Sequence, residues 1–149
     1  QVDQELESTK IQKHQFRGSE TPDDATVPYS GKDSKTNRDT FLNKRAQYWW
    51  KLRDRFYATY RAVEKGEYIN PEELISLSPD IEHLDQLRSE VCRIPLKRGN
   101  NGKIQIMSKL DLAKQGIPSP NMGDALMMAM FSPKQNIAQG KKINFKGWG

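Results

Sequence analysis

Residues 41–65 constrain the fold of this chain more than any other stretch. Leu42, Ala46, Trp49, Leu52, Phe56, Tyr60 and Val63 recur at spacings of three and four, the stripe of an amphipathic helix, and Gly66 stands where a C-terminal stop belongs. Such a helix buries its stripe only if other elements cover it, so the stripe predicts the centre of the core. Trp50 and Tyr57 flank it and are expected to pack. Lys44, Lys51, Arg55 and Arg61 fall on the other face, where a solvated charged surface is the simpler expectation and contact with phosphate the alternative.

Chain length limits what can cover the helix. The 149 residues allow one well-buried core, and a hydrophobic share of 35% leaves tails or long loops outside it. Residues 1–9 read as the end of a polar helix, and residues 11–17 as a poorly alternating strand. Residues 18–37 are rich in Gly, Ser, Thr, Pro and Asp without a period, which predicts an irregular connection. Asn70-Pro71-Glu72-Glu73 and Ser78-Pro79-Asp80 each have the form of a helix start, predicting short helices to about Leu77 and about Glu90. Residues 91–98 alternate, with Cys92, Ile94 and Leu96 on one side, and residues 103–107 alternate with Ile104 and Ile106. The turn Gly99-Asn100-Asn101-Gly102 makes these a β-hairpin, with Pro95 confining the first strand to an edge or a bulge. Ser108 with Asp111, closed by Gly116, predicts one helix, and Ser119-Pro120 opens another over 121–131 that is apolar around much of its circumference. Residues 132–149 carry no period and predict a basic tail that is disordered when unbound.

Several classes of function drop out. No apolar run approaches the roughly 18 residues needed to cross a bilayer, and the first residues lack the charged and apolar regions of a secretion signal. Cys92 is the one cysteine, so an intrachain disulfide is excluded; with only His14 and His83 beside it, a Cys/His zinc site cannot be assembled. Cys92 itself is expected to be buried and inert. The GxxxxGK[ST] spacing of a nucleotide-binding P-loop is absent. The net charge of +5 is unevenly spread: residues 92–149 hold ten Lys/Arg against two acids, while residues 1–91 are slightly acidic. The basic half is therefore the expected face for a polyanion.

One residue disagrees with its surroundings. Asp124 is an ionisable carboxylate in a helix otherwise made of Met, Ala, Leu and Gly, and a buried carboxylate needs a partner or a metal. Favourable placement near the positive end of the helix dipole is the bland explanation. Gly123 beside it permits close approach of another chain element or a ligand.

The string Lys109-Leu110-Asp111-Leu112-Ala113-Lys114-Gln115-Gly116-Ile117-Pro118-Ser119-Pro120-Asn121-Met122-Gly123-Asp124-Ala125-Leu126 resembles the closing motif of the nuclease domain in the large terminase subunit of tailed bacteriophages. Asn43-Lys44-Arg45-Ala46-Gln47-Tyr48-Trp49-Trp50, with Leu52 and Arg53, is similar to the same family, and the resemblance runs from about Ile11 to Phe131. It implies an α/β fold: the C-terminal portion of an RNase H-like nuclease domain over residues 1–131, with a long amphipathic helix and a β-hairpin, and a disordered basic tail over 132–149. It also implies a Mg²⁺- or Mn²⁺-dependent endonuclease that cuts double-stranded DNA during viral genome packaging in the cytoplasm of a bacterial host. The portal protein and the small terminase subunit are the implied partners. Asp124 would be the last acid of the metal cluster, with Arg98, Lys103 and Lys109 as contacts to DNA phosphates.

A two-metal site needs several carboxylates, since two ions about 3.5 to 4 Å apart each take about six oxygen ligands, so one Asp is insufficient. The family's earlier acids, and its ATPase domain, would lie on segments before Gln1. Asp3, Glu5 and Glu7 sit in a polar helical setting that makes them poor substitutes, and Asn121 occupies a position that is commonly acidic in the family. The expectation is a fragment, or the product of a truncated prophage gene, that binds DNA without cutting it. The alternative is a non-catalytic module that docks DNA or the portal through its basic half and the Phe145/Trp148 tail.

Overall fold

The long helix begins at Lys44 rather than at Phe41, because Asn43 caps it. In the computed structural model, which describes residues 14–97 and 101–130, Asn43 is extended and its side chain accepts a hydrogen bond from the Ala46 amide at 2.9 Å. A short helix α1, Asn37–Thr40, precedes the long helix α2, Lys44–Lys65, which ends on Gly66 in the left-handed conformation at φ 64. Phe41, left between the two, is fully buried and forms a parallel bridge with Ile104.

Only the middle of the apolar stripe is covered, since Leu42 at its start is 44% exposed. Tyr48, Trp49 and Leu52 form the core with Met127, and Phe56, Val91, Ile94, Ile106 and Leu126 pack around them. Beyond Phe56 the stripe opens to solvent, with Tyr60 51% and Val63 72% exposed, while the segment at Leu74 and Ile75 meets α2 at Arg55 and Thr59. That segment is fastened by polar bonds: Arg55 Nη1 donates to the Leu74 carbonyl, and the Thr59 hydroxyl accepts from the Ile75 amide. Tyr57, expected to pack, is half exposed and stacks on Tyr60. Trp50 lies partly buried beneath the Arg53 guanidinium, 4.6 Å from its ring centre.

The cations of α2 are not a free face. Lys44 pairs with Glu20 at 3.2 Å and Asp23 at 3.0 Å, Arg61 pairs with Glu67, and Lys51 lies 4.8 Å over the Tyr48 ring. Residues 18–36 are irregular, as expected, yet pinned to the helix. The buried Gln47 amide exchanges two hydrogen bonds with the Asp23 backbone, and the Tyr48 hydroxyl donates to Asp23 Oδ2 at 2.8 Å. Burial acts to raise the Asp23 pKa, but the bonds from Tyr48 and Lys44 outweigh it and hold the carboxyl below its ordinary range. A second clamp joins the Tyr29 hydroxyl to Asp54. Residues 14–17 are not a strand; the rest of that candidate, and the expected polar helix, lie outside the described residues.

Four expectations for the middle of the chain need correction. Asn70-Pro71 starts a single 3₁₀ turn, Pro71–Glu73, which ends when Leu74 becomes extended. Ser78 makes a turn but no helix; helix α3, Leu84–Cys92, starts only after His83, which stands at φ 59. Because α3 continues through Val91 and Cys92, the first strand of the hairpin shrinks to the Leu96↔Ile106 bridge, flanked by Lys97 N to Gln105 O and Met107 N to Pro95 O. Cys92 is exposed rather than buried, since it sits in the outer part of the last turn of a helix and not on the inward face of a strand.

The last two helices follow the sequence closely. Helix α4, Lys109–Lys114, is capped by Ser108, whose hydroxyl accepts from the Asp111 amide, and Gly116 closes it at φ 67. Helix α5, Asn121–Ala129, packs on both α3 and α2 and carries the buried Met127 into the core. Phe131 and the tail at 132–149 lie outside the described residues. No described helix is long and apolar enough to cross a membrane.

Candidate functional site

Asp124 lies in the first turn of α5, where the Pro120 carbonyl accepts the first helical bond from its amide at 2.7 Å. The helix meets α2 so closely that a Cβ on Gly123 would fall 2.7 Å from the edge of the Trp49 ring. Glycine at 123 therefore lets the first turn of α5 descend onto the indole, and the descent buries Asp124 to 7% exposure.

Its two oxygens have different surroundings. Oδ1 points into the molecule and accepts from Trp49 Nε1 at 3.0 Å and from Arg45 Nη2 and Nε at 3.1 and 3.3 Å. Arg45 is itself fixed by Nη1 donating to the Met107 carbonyl at 3.0 Å, which ties the guanidinium to the strand end before α4. Oδ2 faces Lys109 Nζ at 3.2 Å, and that lysine side chain is 57% exposed. Lys109 also reaches Asn121 Oδ1 at 3.4 Å, the same oxygen that accepts from the Ser119 hydroxyl. The carboxylate is thus anchored from within by a guanidinium and an indole through Oδ1, and paired through Oδ2 with an exposed ammonium group.

The predicted residues separate into three groups. Asp124 and Lys109 come together, as one cluster at the junction of α2, α4 and α5. Lys103 stands half-buried in the extended segment before Ile104, and its side chain makes no ion pair among the described residues. Arg98 lies outside the described residues. Sequence reading missed Arg45 and Trp49 as partners of the carboxylate. The available signal was their spacing: they are four apart on one helix, so they lie on one face, and an arginine one turn from a buried tryptophan needs an anion.

A divalent cation is not held by what is described. Hard divalent ions take about six oxygen ligands and charge from more than one side chain. Among the described residues there is no group of three His, Cys, Asp or Glu that could hold a metal. Asp124 offers one carboxylate, already matched by two cations, and Asn121 at the rim supplies a neutral amide where an acid would be needed. The arrangement can orient one carboxylate oxygen outward and present a cation beside it; it cannot hold a metal ion alone.

Comparison with known proteins gives a consistent kinship. A family described as the terminase RNase H-like domain matches residues 3–131. The nuclease domain of the large terminase subunit gp2 of bacterial virus Sf6 is similar at 46% identity and a TM-score of 0.73, over 79% of this chain and 52% of that one. A point variant of that domain solved with manganese is similar at 44% identity and a TM-score of 0.73, over 79% and 53% of the two chains. A variant of the same subunit from bacteriophage Sf6 solved with calcium is similar at 44% identity and the same TM-score of 0.73, over 79% and 52%. The chain spans about half the length of these solved structures. Comparison with curated proteins gives no match.

Proposed function

Because this chain belongs to the family of terminase RNase H-like domains, we propose that it is part of the nuclease domain of a phage DNA-packaging terminase large subunit. Its fold is that of the RNase H-like terminase nuclease. The proposed substrate is double-stranded DNA, cut with Mg²⁺ or Mn²⁺ during genome packaging in the cytoplasm of a bacterial host. Portal protein and small terminase subunit are the proposed partners.

The observation that carries this reading is the division of labour at Asp124. One oxygen is fixed by Arg45 and Trp49 inside the core, and the other is turned toward the surface, beside Lys109. A carboxylate held this way is pre-organised as one ligand of a metal site, which needs further acids beside it. Lys109, with Arg98 and Lys103, supplies positive charge for the phosphate backbone. The chain by itself is proposed to bind DNA without cutting it.

Pairing of Asp124 with both the inner Arg45 and the exposed Lys109 favours a second reading, a non-catalytic DNA- or portal-binding module in which the carboxylate serves only to hold α5. One pair of measurements separates the two. Linear duplex DNA is incubated with the chain and Mg²⁺ or Mn²⁺, and binding is followed against salt concentration. Salt-sensitive binding without cleavage is expected, and Lys109→Ala is expected to lower the slope of log K against log salt by about one. Cleavage that vanishes in Asp124→Asn shows a complete site in this chain. Binding that is unchanged or improved in Asp124→Asn, with no metal response at any position of the cluster, supports the second reading.

A further inference from the structure

Helix α5 has an unusual start. Its N-cap position is Pro120, which has no side-chain acceptor, so the amides of the first turn must find partners elsewhere. The Asn121 amide donates to the Ser119 carbonyl at 2.9 Å, and the Asp124 amide to the Pro120 carbonyl at 2.7 Å. The Gly123 amide, on a buried residue, donates instead to Glu90 Oε2 at 2.9 Å, 33 residues away on α3. Glu90 is held for this task by the Gln86 side chain, whose Nε2 donates to Oε1 at 2.9 Å.

We propose that Glu90 is a positioning residue for Asp124: it caps α5 from a neighbouring helix and so sets where the carboxylate meets Trp49 and Arg45. This rests on the reading of Asp124 as the functional carboxylate. Three contacts converge on the same turn. Glu90 Oε2 holds the Gly123 amide, the missing Cβ of Gly123 admits the Trp49 ring, and Trp49 Nε1 holds Asp124 Oδ1. The Glu90 Cβ would stand 3.6 Å from a Cβ on Gly123, so α3 and the indole together form the seat on which the turn rests. A negative charge at this end of α5 also matches the helix dipole. Without the cap, the buried Gly123 amide has no acceptor, and the turn must lift toward water, carrying Asp124 off the indole.

The indole N–H of Trp49 reads that displacement without any need for activity. In the full 149-residue chain its proton–nitrogen resonance is assigned by loss in Trp49→Phe, and Asp124→Asn gives its position when the bond to the carboxylate is altered. Glu90→Ala is expected to move the Trp49 resonance at least half-way to the Asp124→Asn position while the Trp50 resonance stays in place. Glu90→Gln, which keeps an acceptor oxygen at the same reach, is expected to restore it. If Glu90→Ala loses the fold, Glu90→Asp, one methylene shorter, carries the same comparison. A folded Ala or Asp variant whose Trp49 resonance coincides with that of the unsubstituted chain overturns the proposal, as does equal movement of Trp49 and Trp50. Neither result bears on metal binding or cleavage, so failure of this inference stays separate from failure of the nuclease reading.

Discussion

The indole N–H of Trp49 donates to Oδ1 of Asp124 across 3.0 Å, joining positions 75 residues apart in the chain. Around that one bond the core and the candidate site become the same object. Trp49 belongs to the buried cluster with Tyr48, Leu52 and Met127, and its polar edge orients the carboxylate.

Trp49→Phe keeps most of the apolar volume and deletes the donor. Arg45 still partners Oδ1, so the loss is expected to be about 1–3 kcal/mol, from one hydrogen bond to a charged group plus a partial cavity. Denaturant unfolding measures it. A loss near zero would mean that the indole N–H contributes nothing to holding Asp124.

Gly123→Ala places a methyl group 2.7 Å from the ring edge of a residue that is itself 4% exposed and enclosed by core side chains. Neither the helix nor the ring can yield cheaply, so destabilisation of about 1–3 kcal/mol is expected, accompanied by a shifted near-UV tryptophan signal. Unchanged stability and an unchanged spectrum would show that α5 is free to move away from α2.

Acid sensitivity should arise at Asp23. Its folded pKa lies below the reference value of 3.8, because the Tyr48 and Lys44 bonds outweigh the opposing effect of burial. A depressed folded pKa means that this contribution to stability is present above the unfolded value and lost as the pH falls through the folded one. Asp23→Asn is therefore expected to flatten the decline of stability below about pH 4, while itself lowering stability at neutral pH. Thermal melts of the two proteins between pH 2 and 7 check the sign; a parallel acid decline in both would remove Asp23 as its source.

Paramagnetic Mn²⁺ tests metal access to the outward oxygen. An ion on Oδ2 must displace the Lys109 ammonium from 3.2 Å, and one carboxylate gives it little to hold. Weak broadening of the Trp49 indole resonance is expected in the chain itself, stronger broadening in Lys109→Ala, and none in Asp124→Asn. Equal broadening in all three would place the ion elsewhere.

Much of this was legible beforehand because it depends on neighbours in sequence. The stop at Gly66, the Ser108 cap of α4 and the start of α5 each use residues within one helical turn of their effect. Short-range signals failed where a longer helix competed. Val91 and Cys92 alternate like a strand, yet α3 claims them, since its backbone bonds and the packing of Val91 on the core prevail over a two-residue period. Asn70 caps only the 3₁₀ turn Pro71–Glu73 and Ser78 only a turn ahead of α3, which starts at Leu84: a cap alone does not sustain a helix.

Read from residue order alone, α2 is the core helix, the isolated carboxylate at 124 is buried, and the glycine beside it lets something come close. Periodicity and local chemistry suffice for those. That the close neighbour is Trp49, that Arg45 and Lys109 divide the two oxygens of Asp124 between them, and that Glu90 supplies the cap Pro120 cannot, emerges from the folded arrangement. Partners brought together from four separate segments are chosen by how helices seat on one another, and that seating is set by packing of whole faces, which no local pattern of residues encodes.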